Sequence, residues 1–333
     1  MRAAIYGAGS LGTILGAFIT KNGGEIDLIN RNKAHVEALQ KNGAKIVGTM
    51  NFTQKLVAFT PDQMQGNYDI IILLTKQQFN EQVVSFLKDY LAPDGVIVTL
   101  QNGLPEYKIA NIVGPDRVLG CTVAWGATML EPGVCELTSE PDSLTFSLGA
   151  ICPNPNKHFD EVKKLLELMG KVEVDSNFVG SRWSKLLINS AFSGMSTVLG
   201  STFGEAAKDK ESRKIVQAII KECIDVCAKA KIKIEPVQGK DIVKLLDYHN
   251  PLKKAFAYAI IPLAIKKHAL LKASMLQDIE HGKKTEIDSI NGVVSEFGRR
   301  VGVPTPKNDK VVEIVHKIEN GELKPSFDNL KLF

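Results

Sequence analysis

No apolar run in the 333 residues is long enough to cross a bilayer. The most apolar stretch, "AFAYAIIPLAI" at 255–265, is too short and contains Pro262, so it reads as a buried helix. Cysteine is sparse: Cys121, Cys135, Cys152, Cys223 and Cys227 form an odd set with no CxxC pair. That leaves neither a disulfide framework nor a zinc site and favours a reducing compartment. Cys223 and Cys227, one helical turn apart, read as small apolar core residues. Charge of one sign is never concentrated either. The net charge of +4 is spread along the chain, which argues against a nucleic-acid arm or a polybasic membrane patch. There is no internal repeat or low-complexity tract. "MRAAIYGAG" runs straight into a strand, so no signal peptide is expected ahead of it, and a cytoplasmic location is the default.

What is present describes a folded, two-part chain. Hydrophobic residues at 44% and charged residues at 23% suit an ordinary globular protein, and the length suits two domains of about 150 residues each. "RAAIYGAGSLGTILGAFITKNGG" reads as strand, glycine turn and helix. Gly7, Gly9 and Gly12 form G-x-G-x-x-G. In a dinucleotide fold the first glycine makes the turn, the second admits the pyrophosphate and the third lets helix and strand pack closely. The segment Gly7, Ala8, Gly9, Ser10, Leu11 and Gly12 is therefore the candidate phosphate cradle, at a helix N-terminus that supplies N–H donors.

The second strand, "EIDLIN", ends in Asn30 and Arg31 where an NAD site usually places a carboxylate. A guanidinium can pair with a 2′-phosphate, so NADPH is favoured over NADH. Arg31 can also be read as a solvent-facing capping residue. Further strand-like runs, "YDIIILLTK" and "GVIVTLQNG", alternate with a helix, as in a doubly wound α/β sheet. Ligands in such sheets collect beyond the carboxyl ends of the strands. Lys76 and Asn102 stand there, though a loop lysine and an Asn-Gly turn are the plain alternatives. After Gly126, short β-rich runs suggest antiparallel strands closing the sheet edge.

The composition changes at about residue 176, and from Phe178 the pattern is helical with breaks at Gly204, "KIKIEPVQG", "HNP" and "GVPTP". In the first of these helices Lys185, Asn189 and Ser193 recur at i, i+4 and i+8 on an otherwise apolar element. An amphipathic-helix lysine ordinarily lays its stem on apolar surface with its head in water. A second segment, "ASMLQDIEHGKKTEIDSINGVV", offers Ser274, Glu286 and Asn291 on helical pattern, with Ser274 about three turns ahead if one helix carries through. A carboxylate near a partly desolvated lysine keeps it charged, while desolvation lowers its pKa, a combination suited to an acid catalyst.

"YGAGSLG", the "TK" at Lys76, "QNG" at 101–103, "WSKLLIN" at 183–189, "SMLQDIEHGKKTEIDSINGVV" and "GVPTP" occur in an order that resembles the ketopantoate reductase family, the 2-dehydropantoate 2-reductases. The resemblance implies an N-terminal Rossmann-type dinucleotide-binding domain, residues 1–175, followed by an all-helical substrate domain, residues 176–333. It implies NADPH-dependent reduction of a 2-oxo acid, ketopantoate to pantoate on the route to pantothenate and coenzyme A, with the substrate in the cleft between domains. By the same resemblance Lys185 is the general acid and Glu286 contacts the substrate hydroxyl. Asn102, Asn189 and Ser274 orient substrate beside Ser193, Lys76 and Asn102 lie by the cofactor, and no metal is called for. A homodimer is compatible with the amphipathic C-terminal half. The chain departs from the family pattern at Ser193, Gly194 and Met195, at Phe203 and in "HALLKA". These changes point to a less polar pocket, and so to a D-2-hydroxyacid dehydrogenase of mandelate type as an alternative. A non-catalytic NADP sensor is a further alternative, which the presence of Lys185 and Glu286 opposes.

Overall fold

The computed structural model describes every residue except Gln238. It divides into two compact units, Met1–Phe178 and Val179–Phe333.

The strands of the first unit range from the central Ala3–Tyr6 and Tyr68–Leu73, buried almost throughout, to Lys171–Val174, which is mostly exposed. They are β1 (Ala3–Tyr6), β2 (Asp27–Ile29), β3 (Ala44–Gly48), β4 (Phe52–Gln54), β5 (Val57–Phe59) and β6 (Tyr68–Leu73). β7 (Leu91–Thr99), β8 (Val118–Val123), β9 (Ala127–Glu131), β10 (Val134–Leu137), β11 (Thr145–Ala150) and β12 (Lys171–Val174) complete the set. Helices α1 (Ser10–Lys21), α2 (Lys33–Asn42), α3 (Asn80–Lys88), α4 (Pro105–Val113) and α5 (Phe159–Glu167) lie between them. Eight strands form one sheet in the order β12-β11-β8-β7-β6-β1-β2-β5. Strands β5, β2, β1, β6, β7 and β8 run parallel, and β11 pairs antiparallel to β8. Successive residues of one strand feed opposite cores: Ile70 and Ile72 pack with Ile5, Leu15 and Leu28, while Ile71 and Leu73 pack with Tyr6, Val84 and Ile109. A parallel sheet covered on both faces requires that pattern.

The edge strands expected after Gly126 divide between two sheets. β11 joins the main sheet with β12 beyond it as the edge, but β9 and β10 join β3 and β4 in a separate four-stranded sheet, β4-β3-β10-β9. The cause is non-local: β10 pairs in parallel with β3, and the tight β9–β10 turn at Gly133, φ +80°, rests against Ala38 of α2.

The second unit is helical. It comprises α6 (Phe178–Ile188), which begins on the last residue of the first unit, a π-helical turn (Asn189–Ser193), α7 (Gly194–Leu199), α8 (Phe203–Lys208) and α9 (Lys210–Lys229). α10 (Ile242–Leu246), α11 (Pro251–Ala264), α12 (Ser274–Glu280), α13 (Ile287–Val301) and α14 (Pro306–Glu319) follow. Cys223 and Cys227 of α9 are buried, as small core residues should be. Three expectations need correction here. The break assigned to Gly204 falls earlier: Gly200, at φ +68°, ends α7 in the left-handed conformation, and Thr202 and Glu205 form a reciprocal cap that starts α8. Gly204 lies inside α8, where a Cβ would meet the Ala269 carbonyl oxygen at 2.8 Å. The helix begun at Ser274 does not carry through to Glu286; it stops at Glu280, and Gly282 at φ +65° turns the chain before α13. Nor is the apolar stretch at 255–265 buried all round. Ala257 and Ile261 face the core, while Leu252, Phe256 and Leu263 are 86%, 49% and 69% exposed on the other side of α11. Composition alone hides which apolar stripe of such a helix finds a partner. No helix among the described residues is long and apolar enough to cross a membrane.

Candidate active site

The glycine loop leaves β1 at Gly7, whose φ of +88° suits only glycine; a Cβ there would lie 2.7 Å from the Thr75 backbone nitrogen. At Gly12 a Cβ would press on Ile5 at 2.9 Å, so this glycine lets α1 pack on the sheet. Gly9 differs from both, since a Cβ there has no closer neighbour than the Gly7 oxygen at 3.9 Å. The space above it is open, as a phosphate approach requires. Gly7 and Ala8 both donate their N–H to the Ile29 carbonyl, at 2.9 and 3.0 Å, and Gly9 donates to Gly7. The first helical bond of α1 runs from Thr13 to Gly9. That arrangement leaves the N–H groups of Ser10, Leu11 and Gly12 without intrahelical acceptors. Among the described residues no side chain caps this end, and no acidic residue occupies its first turn. The loop thus fits a dinucleotide pyrophosphate, with Ser10, Leu11 and Gly12 as the donors.

Beside the loop a cavity of about 200 Å³ is lined by Tyr6, Gly7, Ile29, Asn30, Arg31, Thr75, Lys76 and Phe79. Its two charged residues, Arg31 and Lys76, are both cations, which suits an anionic ligand. The Arg31 guanidinium stands 5.1 Å from the centre of the Phe79 ring. Asn30 lines the cavity and also braces the loop: its Nδ2 donates to the Ala8 carbonyl at 2.7 Å, and its Oδ1 accepts from the Asn32 N–H at 2.9 Å. Asp27 sits at the start of β2 and accepts from Arg2 and Tyr68, away from the strand's carboxyl end.

Asn102 follows the end of β7, exposed, ahead of Gly103 at φ +75°. Its carbonyl accepts from the Gln77 side chain, which ties the β7 loop to the residue after Lys76. Two residues that periodicity does not single out reinforce this tie. Asn80 and Gln101 exchange hydrogen bonds of 3.0 and 2.7 Å, and Gln101 also donates to the Thr75 carbonyl. A glutamine beside a strand end was the only sequence hint. Thr13 and His35 were missed as well; they brace the glycine loop from behind, with His35 Nε2 and Thr13 Oγ1 3.0 Å apart.

In the second unit Lys185, half-buried, lies in the last turn of α6, and Asn189 and Ser193 open and close the π-helical turn. An unbroken α-helix drifts about 80° over eight residues; the wider turn holds part of that drift back and keeps the three polar residues on one stripe. Trp183 of α6 meets Phe297 of α13 edge to face at 5.2 Å, setting the two helices together. Glu286 is half-buried and occupies the N-cap of α13 instead of its interior. The start of that helix is pinned by Thr285, whose N–H and hydroxyl both donate to Glu319 at 2.7 Å. Burial alone would raise the Glu319 pKa, but the Thr285 bonds and the His316 imidazole hold it below the usual carboxylate value. Ser274 is exposed as the first residue of α12, and the preceding Ala273 N–H donates to Ser196 of α7 at 3.2 Å. The π-helical turn packs against both α12 and α13, so Ser274 and Glu286 open helices that border Asn189 and Ser193.

The sequence pattern described as "Ketopantoate reductase PanE/ApbA" matches residues 3–150, and that of "Ketopantoate reductase PanE/ApbA C terminal" matches residues 177–319. A 2-dehydropantoate 2-reductase of Pyrococcus horikoshii is 29% identical over 310 residues, covering 92% of this chain and 94% of its own. That of Aquifex aeolicus is 26% identical, covering 97% and 99%. Among solved structures, D-mandelate dehydrogenase with NADH and anilino(oxo)acetate superposes with a TM-score of 0.79 at 25% identity, covering 96% of this chain and 99% of its own. A PanE/ApbA family ketopantoate reductase from Ralstonia eutropha, at 23% identity, shares the fold with a TM-score of 0.80, covering 97% and 99%. Matched in both units, and along nearly the whole length of its curated relatives, the chain belongs to the ketopantoate reductase family.

Proposed function

We propose that the protein reduces a 2-oxo acid to a 2-hydroxy acid with NADPH, and that ketopantoate, reduced to pantoate for pantothenate and coenzyme A synthesis, is its substrate. The observation that carries the reading is the stripe of Lys185, Asn189 and Ser193 on a helix whose π-helical turn keeps them in line. A bound nicotinamide supplies the hydride. As the ketone oxygen gains charge, the Lys185 ammonium neutralises it and delivers the proton, which completes the alcohol. Glu286 accepts a hydrogen bond from the substrate hydroxyl. Asn102, Asn189, Ser193 and Ser274 hold the substrate so that C2 stays at reacting distance. Ser10, Leu11 and Gly12 hold the cofactor's phosphates; Arg31 and Lys76 select NADPH over NADH through the 2′-phosphate. The exposed apolar stripe of α11 is compatible with a homodimer, which sedimentation velocity reads. A cytoplasmic site of action accompanies this reading.

A second substrate class is favoured by one set of observations. By resemblance, Phe203 stands where the family pattern has a polar residue, and "HALLKA" at 268–273 is apolar where that pattern has an asparagine. A less polar 2-oxo acid of mandelate type suits those apolar replacements. Steady-state reduction of ketopantoate, 2-oxoisovalerate and phenylglyoxylate, followed by NADPH and NADH absorbance, separates the readings. The proposal expects the highest kcat/KM for ketopantoate with NADPH; a preference for phenylglyoxylate with NADH overturns both of its specific terms.

A further inference from the structure

We propose that Asn291 is the positioning residue of the reaction: its side-chain amide holds the π-helical turn in the phase that aligns Lys185, Asn189 and Ser193, and couples that turn to the helix headed by Glu286. The inference rests on the catalytic reading of Lys185 given above and deepens it.

The π-helical turn is defined by the Gly194 N–H, which donates to the Asn189 carbonyl five residues back. Turns of this kind are rare and poorly held by local bonding alone, so an outside partner decides whether they persist. Here the Asn291 Nδ2 donates to the Ser190 carbonyl at 3.0 Å, inside the turn and between the two polar residues it positions. Asn291 is fully buried. It lies five residues after Glu286, near the start of α13, so one amide joins the lysine-bearing helix to the carboxylate-bearing one.

The orientation of that amide is dictated from behind. Glu222 of α9 caps α14: its carboxylate accepts from the N–H of Lys307 at 2.8 Å and of Asn308 at 3.0 Å, a role the helix's own N-cap, Thr305, does not fill. The same carboxylate accepts from Asn308 Nδ2 at 2.7 Å. Asn308 must therefore turn its Oδ1 toward Asn291, and it accepts from Asn291 Nδ2 at 3.0 Å. Each amide in the row has one permitted orientation, which ends on the Ser190 carbonyl. Gly194 leaves room for it, because a Cβ there would stand 2.6 Å from Asn291 Oδ1. That Oδ1 is itself buried, with no hydrogen-bond partner among the described residues. An apolar residue in its place would take the donor away from the Ser190 carbonyl and from Asn308 Oδ1, so the donor side of the amide is the part the turn depends on.

The test is steady-state kinetics of the full-length protein with NADPH and ketopantoate, per active site titrated with NADPH, on five variants. Asn291→Ala is expected to lower kcat about 100-fold, as a displacement of roughly 1 Å at a reacting group can. The KM for NADPH should stay within about twofold, because the glycine loop is untouched. Asn329→Ala is the control. It removes another buried amide of the same unit, one that donates to the Val198 carbonyl at 2.9 Å, and should leave kcat within about threefold. Should Asn291→Ala not fold, Asn308→Ala and Glu222→Gln loosen the same amide from behind and are each expected to lower kcat about 3- to 10-fold. The proposal is overturned if folded Asn291→Ala keeps kcat within about threefold of the parent, or if both fallback variants do. An unchanged kcat in Lys185→Ala, or a parent without turnover on any 2-oxo acid, locates the failure in the catalytic reading and removes the proposal with it.

Discussion

His35 Nε2 lies 3.0 Å from Thr13 Oγ1, and the Gly133 N–H donates to the other ring nitrogen at 3.0 Å. The second bond fixes the proton on Nε2, and the Thr13 hydroxyl passes the contact on to the Ala8 carbonyl at 3.2 Å. Ala8 is the residue that Asn30 also braces, so a histidine at the foot of the second sheet helps set the glycine loop.

Burial holds the His35 pKa below its ordinary value, against a smaller opposing effect of the Ala8 backbone. A histidine lowered on folding contributes stability that is complete above its unfolded pKa of about 6.5 and is lost as pH falls toward the folded value. Denaturant titrations between neutral pH and about pH 5 should show this decline, and His35→Gln should flatten it. An unchanged slope in the variant would assign the decline to other groups.

Arg31 and Lys76 face the same cavity without a carboxylate among its lining residues. Arg31→Asp is expected to lower kcat/KM for NADPH on the order of 10- to 100-fold and to leave NADH nearly unaffected, through loss of a charge-assisted bond. Equal losses with both cofactors would show that Arg31 does not read the 2′-phosphate.

Much of this arrangement is legible in the chain. The three glycines of the loop have distinct steric roles in the structure, and the polar residues Asn30, Lys76 and Asn102 do follow strand ends, because a doubly wound sheet exposes little else there. The rest depends on contacts distant in sequence. The π-helical turn has no local signature, since "NSAFS" continues a helical pattern and only the packing of Asn291 marks it. The pairing of β10 with β3 joins residues about ninety apart, which alternation of apolar residues cannot specify. The exposed stripe of α11 is invisible to composition because both of its faces are apolar.

The measurement that bears most directly on the central claim is turnover by Lys185→Ala. The account predicts a fall in kcat of about 10³-fold, NADPH binding by fluorescence titration within about twofold of the parent, and partial recovery of turnover by added primary amines. A variant that binds NADPH and reduces the 2-oxo acid at the parent's rate would contradict it.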